Sequence, residues 1–289
     1  MDVALVRVPY MLGDERHAAA AGPARYLEGG ATEVLRAKGL GVAVEQVERR
    51  GGGPFPDAPA ASLAVNRELA RAVRRVRAAE RLPLVLAGSC DASLGVLAGF
   101  DHARCGVVWI DAHADFNTPE SSVSGFFPGM SAAVIVGHCH RELWAKTGDA
   151  TPVAEDAMLM LGVRELSPEA ERERLERSAI RVVPWRGGRP EEDVEAALDD
   201  LAVLVDEVYL HVDNDAFDPA VAPGIVDDPV PGGLSLVQME DVLRGVTGRF
   251  RIAAAALTTF TPDRDEGDRT LRAGLRVLEL LGDYVAGRR

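Results

Sequence analysis

Short apolar runs alternate with amphipathic stretches along most of the chain. Predominantly apolar runs of strand length occupy residues 3–8, 82–87, 105–110, 158–163, 180–184, 208–212 and 251–257. Between them, apolar positions recur at helical spacing, at Val65, Leu69, Val73 and Val76 and over residues 169–178, 191–205, 235–246 and 271–285. Alternation of this kind, with strands apolar on both faces, predicts a mostly parallel sheet covered by helices on each side.

The predicted fold class is therefore α/β, with a three-layer α/β/α arrangement. At 289 residues and 30.8 kDa the chain is long enough to bury a large core. No internal repeat, low-complexity segment or Ser/Pro-rich linker divides the sequence. We therefore predict a single domain over residues 1–289.

Charge and cysteine content narrow the possible partners and compartment. A formal net charge of -13 argues against nucleic acid or an anionic membrane as a partner. Three cysteines leave an odd count and no disulfide framework, so we expect a reducing, cytoplasmic location. The first residues lack the basic and apolar regions of a signal peptide, and no apolar run has the length of a membrane span.

Two acidic clusters follow apolar runs where strands are expected to end. Side chains of a strand alternate between its faces, so the members of each cluster are predicted to share a side. Reactive loops of parallel sheets lie beyond the carboxyl ends of the strands, and acids gathered there repel one another unless a cation neutralises them. The side chains concerned are Asp111, His113 and Asp115 in the first cluster and Asp213 and Asp215 in the second.

Carboxylates combined with an imidazole suit a divalent first-row ion such as manganese, iron, zinc or nickel. One such cluster alone also fits a helix cap with a salt bridge. Two clusters, both after apolar strands, favour a metal site, because uncompensated acids at buried strand ends would be costly. We predict a metal centre, with two ions.

Three motifs together resemble those of the arginase/agmatinase (ureohydrolase) family. The chain is similar to the family over residues 22–27, 111–119, and 213–219 with 231–234. The resemblance implies a binuclear Mn²⁺ centre on a parallel-sheet α/β fold, a small guanidino or amidino substrate, and a homo-oligomer. It also implies hydrolysis of a C–N bond by a metal-bound hydroxide.

The resemblance assigns roles position by position. It implies that Asp111 and Asp213 bridge the two ions, that Asp115 completes one shell, and that His113 and Asp215 complete the other. Asp115 would also be catalytic, orienting the hydroxide and passing a proton to the leaving amine. Residues predicted to contact the substrate by position are Asn117 and Ser124.

One departure from the family concerns a metal ligand. Where the family carries a metal-binding His in its first motif, this chain has Cys90. A thiolate is a softer ligand, so Zn²⁺ or Fe²⁺ becomes possible beside Mn²⁺. The alternative is a buried, inert cysteine at a strand–helix turn.

Other departures concern the substrate. Phe126 and Pro128 replace an Asn and a His of the arginase loop, and Phe126 with Phe127 predicts a more apolar pocket. Thr259 stands where the family has a Glu that grips the guanidinium, and it supplies no negative charge. We therefore expect Phe126 and Thr259 to contact a substrate other than free arginine.

His211 occupies a position where the family usually has a Ser. It precedes Asp213 by two residues, so it is predicted to share that strand face and to assist catalysis by hydrogen bonding Cys90 or a carboxylate. A satisfied core histidine is the alternative. Cys90 together with His211 resembles a branch of the family that contains a hydroxyarginine-cleaving hydrolase.

Two further hypotheses stay open from the sequence. Cys90 could act as a nucleophile activated by His113 or His211, although this leaves the acidic clusters without a role. Alternatively, the chain could have lost catalysis and kept a structural metal site, because several family side chains are replaced. The leading prediction is a metal-dependent hydrolase of guanidino or amidino compounds.

Overall fold

The computed structural model describes residues 1–50, 55–148, 150–225 and 229–288. Eight strands form one sheet in the order β2-β1-β3-β10-β9-β4-β5-β6, and every pairing in it is parallel. A separate antiparallel pair consists of β7 and β8. The strands are β1 (Asp2–Val8), β2 (Val42–Gln46), β3 (Arg81–Ala87), β4 (Cys105–Ile110), β5 (Met158–Leu161), β6 (Arg181–Val183), β7 (Trp185–Arg186), β8 (Arg189–Pro190), β9 (Glu207–Asp213) and β10 (Arg251–Thr258).

Helices cover both faces of the sheet. One buried apolar cluster contains residues of α3, α4, α5 and α6 against one face, and a second contains residues of α2, α8, α9 and α10 against the other. The helices are α1 (Gly22–Glu28), α2 (Ala31–Arg36), α3 (Ala58–Ala78), α4 (Ala92–Leu97), α5 (Ser131–Ile135), α6 (Arg141–Gly148), α7 (Glu169–Glu176), α8 (Val194–Leu204), α9 (Leu236–Arg249) and α10 (Arg269–Gly287). The predicted three-layer α/β/α fold is confirmed.

The central strands end side by side. Thr258 of β10 pairs with Ala87 of β3 on one side and with Asp213 of β9 on the other. Ile110, the last residue of β4, pairs with Val212 of β9. Consequently the residues that follow β3 and β4 emerge level with Asp213, which gathers distant parts of the chain at one edge.

A close approach of backbone segments fixes the turn after β3. A Cβ atom at Gly88 would stand 2.6 Å from the carbonyl oxygen of Tyr10, so only glycine fits there without a shift. The chain then turns into α4, which leaves Cys90 at the same edge as Asp213. Within the described ranges, we find no helix long and apolar enough to cross a membrane.

Candidate metal centre

The predicted ligands meet at the carboxyl edge of β3, β10, β9 and β4. Each member offers one ligand atom, and within each of two sets these atoms all lie within 4.8 Å of one another. We call these the thiol set and the imidazole–carboxylate set. The thiol set is Cys90, Asp111, His211 and Asp213, and the imidazole–carboxylate set is Asp111, His113 and Asp215.

Asp213 is the centre of the thiol set. Its Oδ2 accepts hydrogen bonds from Cys90 Sγ at 2.8 Å and from Thr258 Oγ1 at 3.0 Å. Its Oδ1 accepts from Thr259 Oγ1 and from the backbone N–H of Asp215 at 2.9 Å. The carboxylate is buried, and these donors fix its orientation toward the site.

The second set is held by the backbone of the first acidic cluster. Asp111 Oδ1 accepts from the backbone N–H of His113 at 2.7 Å, and Asp215 Oδ1 accepts from that of Ala112 at 3.1 Å. His113 Nδ1 lies 3.0 Å from Asp215 Oδ2 and 3.5 Å from Asp111 Oδ1. An imidazole nitrogen and two carboxylates thus converge on one point.

The first acidic cluster lies beyond its strand, so side-chain alternation does not apply to Asp111, His113 or Asp115, although all three line one cleft. Strand β4 ends at Ile110, so the first cluster lies in the loop beyond it, and Asp115 has φ = 48°. That left-handed conformation is uncommon outside glycine and turns the side chain toward the ligands. Asp115 Oδ2 is buried and has no hydrogen-bond partner among the described residues.

This unpaired oxygen tests whether a metal fits. An orphaned buried carboxylate oxygen is costly unless a partner outside the protein satisfies it. Asp115 lines the same cleft as Cys90, Asp111, Asp213 and Asp215. The donor set of thiol, imidazole and carboxylates, with one carboxylate oxygen left unsatisfied, fits divalent metal ions.

The pKa values of the acids reflect their burial close to one another. Burial and the neighbouring Asp215 raise the pKa of Asp111 to about 7. Burial also raises the pKa of Asp115 and of Asp213 well above the usual range, with nearby carboxylates adding to the effect. Burial acts against Asp215 too, but His113 outweighs it and holds the pKa of Asp215 at about 2. A cation would relieve this repulsion.

Side chains outside the two sets brace them. Trp109 Nε1 donates to Asp111 Oδ2 at 3.1 Å. Asn214, between the two acids of the second cluster, accepts from Tyr26 of α1 at 2.9 Å and donates to the carbonyl of Thr258. The Asp218 carboxylate accepts from the backbone N–H groups of Ala220 and Gly232, so it holds its own loop.

All members of the two sets except His211 line a small cleft of about 20 Å³, together with Asp115. That volume is room for roughly one water molecule. Met11, Phe126 and Pro128 wall the cleft opposite the ligands, and Thr259 also lines it. A much larger cavity of about 590 Å³, lined by Arg74, Arg77 and His102 among others, lies elsewhere, beside the start of β4, and has no part in this chemistry.

Not all predicted substrate residues reach the cleft. Phe126 and Thr259 line it, whereas Asn117 and Ser124 are not among its described lining residues. Asn117 instead donates to the carbonyl of Ser167 and accepts from Ser121, and Ser124 is exposed and caps the N–H of Phe126. Phe127 packs into the core against His140 rather than enlarging an apolar pocket.

The structure also bears on Cys90 and His211. The Cys90 thiol lies against Asp213, and burial with the adjacent carboxylates raises its pKa well above the usual range, which disfavours a free thiolate nucleophile. His211 is fully buried and is not among the described lining residues of the cleft, so any contribution to catalysis would act through Cys90 or a carboxylate, as the sequence predicts. One of its ring nitrogens lies within 4.8 Å of the ligand atoms of Cys90 and Asp213.

Comparison with known proteins agrees with this geometry. A model of the arginase family matches residues 1–282. The chain is 33% identical over 225 residues to the arginase of Bacillus subtilis (strain 168), covering 76% of this chain and 75% of that protein. The chain belongs to the arginase family. The resemblance to the arginase family inferred from the motifs is thereby confirmed.

Other arginase-family proteins extend the comparison. The N(omega)-hydroxy-L-arginine amidinohydrolase of Streptomyces lavendulae is 30% identical over 212 residues, which are 72% of each chain. The crystal structure of arginase from Bacillus subtilis subsp. subtilis str. 168 superposes with a TM-score of 0.87 at 29% identity, covering 99% of this chain and 98% of that one. This family membership identifies the chain as an arginase-family hydrolase with candidate metal ligands.

Sequence reasoning did not find three residues that shape the site. Trp109 and Thr258 looked like ordinary strand residues, and Met11 lies far from the motifs in the sequence. The signal available for Trp109 was its spacing, two residues before Asp111 in an otherwise aliphatic strand. Met11 carried no such signal.

Proposed function

We propose that this arginase-family protein is a metal-dependent hydrolase that cleaves a C–N bond of a guanidino or amidino compound other than free arginine. The observation that carries the proposal is the buried convergence of thiol, imidazole and carboxylate ligands around the unpaired oxygen of Asp115. That arrangement offers places for two divalent ions. When bound, such ions supply positive charge that activates water for attack on an electron-poor carbon.

The protein's own groups have separable tasks. Asp111 belongs to both ligand sets, so it is the carboxylate suited to join two ions, and Trp109 orients it. Asp213, which the family resemblance implies as the second bridging carboxylate, would be oriented by the hydroxyls of Thr258 and Thr259. Asp115 keeps a free oxygen at the cleft, which suits it to orient water and to move a proton to the leaving amine.

A substrate other than arginine is supported by the residue at position 259. The Thr259 hydroxyl donates to Asp213 Oδ1, so it is already used within the protein and offers no negative charge to a guanidinium. Thr259 also has φ = 64°, which is rare for a β-branched residue and indicates a position held by its surroundings. With Phe126 beside it, the cleft favours a less cationic head group, and a relative at 30% identity is named for hydroxyarginine.

Turnover by the metal-loaded protein tests the proposal. Protein loaded with Mn²⁺, and in parallel with Zn²⁺, is assayed for urea or amine release from arginine, agmatine, N-hydroxyguanidines, neutral guanidines and amidines. We expect at least one compound other than arginine to have a kcat/KM more than about 10-fold above that of arginine, a difference of about 1.4 kcal/mol. The Asp213→Asn variant is the control for metal-dependent activity.

Two results would count against the proposal. If arginine proves the best substrate, the argument from Thr259 is wrong. If fully metallated protein turns over nothing in the panel, the chain has kept the metal site and lost catalysis. We also propose a homo-oligomer in a cytoplasmic setting, by analogy with the family, and light scattering at two protein concentrations tests the assembly.

A further inference from the structure

We propose that His211 and Cys90, with Asp111 and Asp213, form a thiolate–imidazole metal site that takes zinc, while the imidazole–carboxylate set takes manganese. The protein would then hold two different ions. The proposal rests on the metal-binding part of the proposed function and is independent of which compound is cleaved.

The position of His211 carries the proposal. Its ring is fully buried and stacks on Trp109, with centroids 3.6 Å apart and an interplanar angle of 10°. Its Nδ1 lies 2.9 Å from the hydroxyl of Tyr209. These two contacts fix both the plane and the rotation of the imidazole.

The other ring nitrogen faces the ligands. Nε2 lies 3.5 Å from Thr258 Oγ1, the outer limit of a hydrogen bond. That same hydroxyl contacts Asp213 at 3.0 Å and Cys90 Sγ at 3.7 Å. When Nδ1–H donates to Tyr209, Nε2 presents a lone pair toward the thiol set, which is how metal-binding histidines are oriented by a partner at their second nitrogen.

The two sets differ in chemical character. The thiol set supplies one sulfur, one imidazole and two carboxylates, four ligands that suit tetrahedral zinc. The imidazole–carboxylate set supplies one imidazole and two carboxylates, is reached from solvent through the 25% exposed His113, and suits a harder ion such as manganese. Asp111, common to both sets, can join the two ions. Thus His211 compensates for the imidazole that Cys90 replaces.

Zinc X-ray absorption of the wild-type protein tests the proposal directly. The protein is stripped of metal and reconstituted with one equivalent of Zn²⁺ and one of Mn²⁺. We expect a zinc shell with one sulfur at about 2.3 Å and imidazole nitrogen at about 2.0–2.1 Å. A zinc shell without sulfur, or manganese and zinc distributed equally over both sites, would overturn it.

A pair of variants then separates the two imidazoles. His211→Gln should lower zinc affinity at least 10–100-fold, the loss typical of disturbing a metal shell, while manganese is retained. The matched variant His113→Asn should do the reverse and leave the zinc–imidazole scattering unchanged. If that scattering disappears in His113→Asn, His211 is not a ligand. The wild-type spectrum alone shows whether zinc has a sulfur ligand. The proposal can therefore still be tested if the His211 variant does not fold.

These outcomes also distinguish the two proposals. Protein that binds neither ion overturns the proposed function together with this inference. Protein that binds two manganese ions and hydrolyses a guanidine supports the function and overturns the inference alone.

Discussion

Replacing Arg164 tests whether the second acidic cluster is held in place by backbone contacts of a single side chain. Arg164 follows β5 by a few residues, and its guanidinium is half-buried. It donates to five backbone carbonyl groups, three of them on consecutive residues beyond β9. The acceptors are Gly162, Asp215, Ala216, Phe217 and Val230, at distances of 2.6 to 3.3 Å.

The expected cost follows from these contacts. A hydrogen bond to a charged group contributes about 1.5–3 kcal/mol net, and the five share one donor group, so they do not add fully. Two effective contacts at the lower value already give about 3 kcal/mol. We therefore expect Arg164→Met to lower the free energy of unfolding by about 3 kcal/mol, because the carbonyl groups lose their charged donor.

Arg164→Lys is the informative intermediate. Lysine keeps the charge but offers its donors from a single nitrogen, which cannot reach all the carbonyls arranged around the edge of the guanidinium. It should recover part of the lost stability. Both variants should also bind the ion of the imidazole–carboxylate set about 10–100-fold more weakly, because the carbonyl of Asp215 is no longer held.

Urea unfolding of metal-free protein and titration with Mn²⁺ provide the measurements. The control is Arg244→Met, since Arg244 is an exposed side chain paired with Glu240 and Asp241, and its loss should change stability by less than about 0.5 kcal/mol. If the free energy of unfolding of Arg164→Met lies within about 0.5 kcal/mol of that of wild type, the hydrogen bonds from Arg164 to the backbone carbonyls do not stabilise the fold.

Three other changes have defined outcomes. Thr259→Glu places an acid beside Asp213 and should raise kcat/KM for arginine relative to neutral guanidines in the turnover assay. An unchanged ratio would show that residue 259 does not select the substrate. Gly88→Ala places a Cβ 2.6 Å from a backbone oxygen and should cost about 1–3 kcal/mol in thermal or urea unfolding, whereas Gly248→Ala, in open space on α9, should cost nothing. Metal-free protein should lose stability as pH rises from about 4 to 7, because the pKa of Asp111 is raised to about 7 in the folded state, so the folded protein binds more protons than the unfolded chain. Denaturant midpoints across that range measure this, and saturating Mn²⁺ should reduce or abolish the slope.

The central sheet was predictable because its strands are buried on both faces. Strands β1, β3, β4, β5, β6, β9 and β10 lie within a few residues of the apolar runs in the sequence. Strand β2 was missed because it lies at the sheet edge and its side chains are only half-buried, so it carries no continuous apolar run. The pair β7 and β8 is too short for any periodicity.

In the candidate site, positions within strands could be predicted from the sequence, whereas positions in loops could not. Alternation along a strand correctly predicted that His211 and Asp213 share a face, because both lie within β9. Alternation does not apply to Asp111, His113 and Asp115, because β4 ends at Ile110. They line one cleft through the path of the loop, in which Asp115 has a positive φ. The positions of side chains in such loops, including the exposed Ser124, could not be predicted from periodicity and follow only from the three-dimensional structure.

The departures from the family at Cys90 and Thr259 are coupled through Asp213. In this chain one carboxylate accepts a thiol from Cys90 and hydroxyls from Thr258 and Thr259. Thr259 stands where a substrate-binding acid is expected from the family, and Cys90 stands where a metal ligand is expected, yet both contact the same group. If the ion at Cys90 differs from that of the family, the charge on Asp213 changes, and with it the hydrogen bond from Thr259, which lines the cleft. The proposed changes of metal and of substrate would then be one structural adjustment.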